Sequence, residues 1–146
     1  MEPTAFLDAL SRIGVDVPDA LARFMGNRDL YLSFLCRLPK ALDLNAIRQA
    51  LRSGQEEDFY ARVHELKGMT GNLSVRTLFQ PAQLLLEEYR AHGLSRPEHL
   101  EPLVEQLSAA AAPVIALIQD YQETSAKGGC SRAEIRFWSL TTPLWI

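Results

Sequence analysis

His64 is the side chain whose type and spacing best suit a nucleophile. It opens the run His64-Glu65-Leu66-Lys67-Gly68-Met69-Thr70-Gly71-Asn72-Leu73, and on a helix its surface neighbours are Tyr60, Lys67, Gly68 and Gly71, one turn behind it and one or two turns ahead. Two of these four are glycines. A glycine inside a helix costs about 0.5–1 kcal/mol relative to alanine, so the pair calls for a reason, and bare backbone beside an imidazole leaves room for another macromolecule to approach it. Lys67 would set a compact ammonium charge next to an anion carried on the ring. Histidine suits attack on phosphorus because an imidazole is substantially neutral near neutral pH and keeps a ring nitrogen free. Phosphoryl transfer needs positioning and charge stabilisation more than covalent assistance, so such a histidine can serve if a partner brings the metal ion.

Taken singly, these residues have blander readings. A solvent-facing helical histidine is more often plain surface than a site, a lone lysine is usually a solvated charge, and Gly71 reads equally well as a helix stop. Their common register is what favours a site, and Gly68, a turn before any stop, resists the bland explanation. Other chemistries fall away. His64-Glu65 starts like a His-Glu-x-x-His zinc helix, but Gly68 stands where the second histidine belongs. His92 and His99 sit at helix ends, where histidine more often meets the helix dipole than a metal, and no Glu-x-x-His pair recurs as a di-iron bundle would require. No metal site is expected. There is neither a phosphate-binding Gly-x-x-x-x-Gly-Lys loop nor a kinase-type glycine-rich turn.

The elements that must carry this constellation are helices, because apolar residues recur at helical spacing almost throughout and strand-like alternation is nearly absent. A leader from Thr4 to Arg12 precedes Pro18, which suits the first turn of a short helix ending near Met25. Gly26-Asn27 supplies a stop and a new cap, and Leu30, Tyr31, Phe34, Leu35 and Leu38 form the next stripe, which Pro39 breaks or kinks. Leu44, Ile47 and Leu51 mark a helix that ends at Ser53-Gly54. The central helix runs from about Glu56 to Gly71 with Phe59, Val63, Leu66 and Thr70 facing the core, which turns His64 roughly 90° or more away, toward solvent. Asn72-Leu73-Ser74 is a tight connection with Ser74 as N-cap of a helix through Tyr89, in which Pro81 predicts a bend or a later start. His92-Gly93 closes that helix, and Leu100 through Tyr121 carry a last long stripe to Glu123. This pattern predicts an all-α fold, an up-and-down antiparallel four-helix bundle with a short leading helix. Residues 1–124 form the domain, and 125–146, with Lys127-Gly128-Gly129-Cys130 and an aperiodic aromatic end around Trp138 and Trp145, form a linker and irregular tail.

At 146 residues, 47% apolar and 23% charged, the chain fits one ordinary globular domain. A net charge of -3 supplies no basic field for nucleic acid. No run approaches the roughly 18 apolar residues of a membrane span, and no secretory signal is visible. Cys36 and Cys130 give neither a disulfide framework nor a metal site. The expectation is a cytoplasmic monomer that meets a protein surface, not a membrane.

The run from His64 to Leu73 resembles the His-x-Leu-Lys-Gly-x-x-Gly-Asn signature of histidine-containing phosphotransfer (HPt) domains. The resemblance extends to Gly14 through Phe24, to Asn27 through Tyr31, and to Leu84 through Tyr89, and covers about residues 10 to 123. It implies a bacterial phosphorelay carrier, a phosphoprotein in which His64 bears the phosphoryl group, Lys67 supports it and Gly68 keeps the approach clear. Tyr60, Ala61, Gly71 and Gln83 are the implied partner-facing residues. The implied partners are response-regulator receiver domains and hybrid sensor kinases, whose acidic pocket holds Mg2+, so the chain needs no cofactor and has no kinase activity of its own. Ser74 departs from the family pattern, which often has glycine there. The alternative is an adaptor bundle that binds a receiver or another regulator without carrying phosphate.

Overall fold

A computed structural model describes residues 2–124; the linker and tail expected at 125–146 lie outside the described residues. The described chain is all-helical, with seven helices: α1 (Pro3–Arg12), α2 (Val17–Arg23), α3 (Arg28–Ala41), α4 (Leu44–Ser53), α5 (Glu56–Asn72), α6 (Arg76–His92) and α7 (Pro97–Thr124). Short polar side chains start three of them by accepting a backbone N–H that the helix leaves orphaned. Asp16 takes the amide of Asp19 at 3.2 Å, Asn27 that of Leu30 at 3.1 Å, and Asp43 that of Ala46 at 3.1 Å. α5 instead carries Glu56, Glu57 and Asp58 in its first turn, where carboxylates complement the positive end of the helix dipole.

The core forms where the apolar stripes meet. Phe59, Val63, Leu66 and Met69 of α5 lie against α6, whose Leu78, Ala82, Leu85 and Leu86 are buried. α6 packs on α7, and α3 packs on both α5 and α7. α4 spans from α5 to α7, tied there by Arg48, whose Nε lies 2.8 Å from Glu105 Oε1 and whose Nη2 lies 3.2 Å from Oε2. α1 closes one flank by stacking Phe6 on Tyr121 of α7, ring centroids 4.2 Å apart.

Four local expectations need correction. Ser74 caps no helix start: Val75 holds that position and makes no side-chain cap bond. Pro81 does not delay α6, which runs through it from Arg76. α7 is long and apolar enough by length and composition to cross a membrane, with a mean hydropathy of 1.3 over its best window, where the sequence reading saw no such run. Its stripe of Leu100, Val104, Leu107, Ala111, Val114, Ile118 and Tyr121 is buried in the core of this fold. Finally, Cys36 is not a free thiol, although no disulfide was expected of it.

Candidate functional site

The end of α5 builds the site. The amide of Ser74 donates to the carbonyl of Gly71 at 3.2 Å and that of Val75 to Thr70 at 2.9 Å, the paired bonds that close a helix when the intervening residue turns left-handed. That residue is Ser74, with φ 56°, a conformation glycine usually supplies. The turn is held from three sides. Tyr31 of α3 donates its buried hydroxyl to the carbonyl of Leu73 at 3.1 Å. The amide of Asp16 donates to the carbonyl of Ser74 at 3.0 Å, and the Ser74 hydroxyl donates to Asp19 Oδ2 at 2.6 Å. α2 is thereby stitched to the connection between α5 and α6.

Where these elements meet, a surface cleft of about 690 Å³ opens. α5 contributes His64, Lys67, Gly68 and Gly71 to its lining, α2 contributes Asp19 and Arg23, and α6 contributes Arg76, Phe79 and Gln83. His64 is half-buried, not fully solvent-facing as the wheel predicts, and its ring lies 5.5 Å from that of Tyr60, which in turn lies 5.7 Å from Tyr89. Tyr60 flanks the histidine without lining the cleft, and Ala61 is exposed outside it. Gln83 lines the cleft while its amide donates to Glu87 at 3.2 Å. Gly71 is neither the helix stop nor bare clearance alone. α5 continues to Asn72, and a Cβ on Gly71 would stand 3.3 Å from the Phe79 ring, so the missing side chain also lets α6 come close.

The charge around the cleft is mostly positive. Lys67, Arg23 and Arg76 line it against the single carboxylate of Asp19. The hydrogen bonds from Ser74 and then from Arg23 hold the Asp19 carboxyl below its usual range. Arg23 Nε lies 2.9 Å from Asp19 Oδ2, and Arg76 Nη2 lies 2.7 Å from Asp16 Oδ2. Both arginines, Asp19 and Ser74 were not singled out as site residues from the sequence. The only signal for Arg23 is its spacing one turn after Asp19, which marks a surface ion pair and nothing more. Among the described residues no group of His, Cys, Asp or Glu side chains converges to hold a metal ion.

The arrangement sets a histidine in the lining of a cleft whose charged side chains are mostly cationic, a setting that favours anionic groups. Compared with protein-family models, curated proteins and solved structures, the chain matches none.

Proposed function

We propose that this chain is a histidine phosphocarrier of a two-component phosphorelay, exchanging a phosphoryl group between His64 and the aspartate of receiver domains. The observation that carries this reading is the convergence of His64, Lys67 and Gly68 with two arginines from other helices in one cleft. In the forward step a ring nitrogen of His64 attacks phosphorus, an N–P bond forms, the O–P bond of the aspartyl phosphate breaks and its electron pair leaves on the partner's carboxylate. The reverse step restores the acyl phosphate. Positive charge around the phosphoryl oxygens stabilises them during transfer, and such preorganised electrostatics is the main lever available for this chemistry. The receiver supplies the Mg2+, and the carrier contributes no ATP site.

In this reading α3, α5, α6 and α7 are the up-and-down antiparallel four-helix bundle, with α1 and α2 leading and α4 bridging. The cyclic order of packing, α3 on α5, α5 on α6, α6 on α7 and α7 on α3, supports it, as do the short connections on either side of α6, which favour antiparallel neighbours. The carrier is placed in the cytoplasm as a monomer, where its partners are receivers and hybrid sensor kinases.

Mixing the protein with a receiver carrying radiolabelled acyl phosphate tests the proposal. Label moves to this chain as an acid-labile phosphate and is absent from His64→Ala. Binding of the receiver with no transfer of label would instead favour an adaptor.

A further inference from the structure

Arg23 is held in an unusual way for an exposed arginine. Its Nε is committed to Asp19 Oδ2 at 2.9 Å, and Asp19 is itself fixed by the Ser74 hydroxyl at 2.6 Å. Ser74 is buried and sits at φ 56°, so the aim of Arg23 rests on a turn whose geometry costs backbone strain in a residue other than glycine. The two terminal nitrogens of Arg23 donate no hydrogen bond among the described residues. A guanidinium presents five donors in a rigid fork that matches the oxygens of a phosphoryl group. Arg23 therefore offers free donors at the wall of the same cleft that His64 and Lys67 line. Arg76 differs, because one of its terminal nitrogens is occupied by Asp16.

We infer that Arg23, aimed by Ser74 through Asp19, is the residue of α2 that binds the phosphoryl oxygens carried on His64, in the cleft that Lys67 also lines. The inference rests on the carrier reading and adds to it a specific ligand contact from a separate helix. The phosphorylated form would then be recognised by α2 as well as α5, which couples the chemical state of His64 to a second helix.

The test loads the full chain chemically with phosphoramidate, whose P–N bond breaks as the His64 N–P bond forms and ammonia leaves. The pH titration of the phosphohistidine is then followed by 31P NMR. A guanidinium about 6 Å away lowers the second ionisation of a phosphoryl group by about half a pH unit even at the dielectric of water. In Arg23→Gln that ionisation moves up by about this amount or more, and in Arg23→Lys, which keeps the charge, most of the shift is recovered. Ser74→Gly, which removes the anchoring hydroxyl and suits the left-handed turn, moves it in the same direction by less. An unchanged titration in Arg23→Gln, with an unchanged melting curve, overturns the role of Arg23 and leaves the carrier reading standing. A wild-type chain that takes no phosphoryl group at His64 from either phosphoramidate or a loaded receiver overturns both.

Discussion

At the scale of single residues the site is governed by where charges are held. Asp19 keeps a depressed carboxyl because Ser74 and Arg23 donate to its ionised form. Its folded value lies below the unfolded one, so its contribution to stability is present above the ordinary aspartate range and is lost as pH falls through the depressed folded value. The difference in urea midpoint between the wild type and Asp19→Asn is therefore full at neutral pH and narrows as pH falls below the ordinary aspartate range. A difference that stays constant over that range would contradict this account. The histidine, the lysine and the glycines of the cleft were legible because they lie on one helix, where spacing alone says which side chains are neighbours. Arg23, Asp19 and Arg76 were not, because they reach the cleft from α2 and α6, and periodicity within one helix carries no information on which helices meet. The half-burial of His64 was missed for the same reason: a helical wheel knows the face of the ring but not the walls that other elements raise around it.

At the scale of elements the decisive piece is the turn between α5 and α6. Tyr31 anchors it with a fully buried hydroxyl on the carbonyl of Leu73, and burial also pushes the Tyr31 phenol well above its usual range. Tyr31→Phe keeps the ring but leaves that buried carbonyl without its donor, a loss of about 1–3 kcal/mol in urea unfolding. A loss within experimental error would show that the anchor is dispensable. Helix starts at Asn27 and after Asp16 were readable from the short polar side chains that cap them. Ser74 was misread because a serine before an apolar run looks the same whether it begins one helix or follows the end of another. Only the left-handed backbone and the paired bonds to Gly71 and Thr70 distinguish the two cases. Pro81 does not interrupt α6 because it falls near the start of the helix, and the carbonyl it deprives of a donor belongs to Thr77, an exposed residue of the first turn.

At the scale of the whole molecule, the all-helical class follows from stripes of apolar residues that the sequence displays openly, and these stripes form the core. The hydropathy of α7 was harder to judge, since its alanines raise it on every face while only one stripe is buried. Ile118 lies on that stripe with no exposed surface. Ile118→Ala is expected to cost about 2–5 kcal/mol through lost burial and the cavity left behind, and, where still folded, to accept label at His64 as the wild type does. A folded Ile118→Ala protein that no longer accepts label would tie the chemistry to the far side of the core.

The most direct measurement locates the phosphoryl group itself. After incubation with a phosphorylated receiver, the chain is digested at alkaline pH, where phosphohistidine survives, and the modified peptide is sequenced by mass spectrometry. The account predicts the phosphoryl group on the imidazole of His64 in the wild type and no acid-labile phosphate anywhere in His64→Gln, whose melting curve is unchanged. A phosphoryl group on any other residue, or acid-labile label retained by His64→Gln, would contradict it.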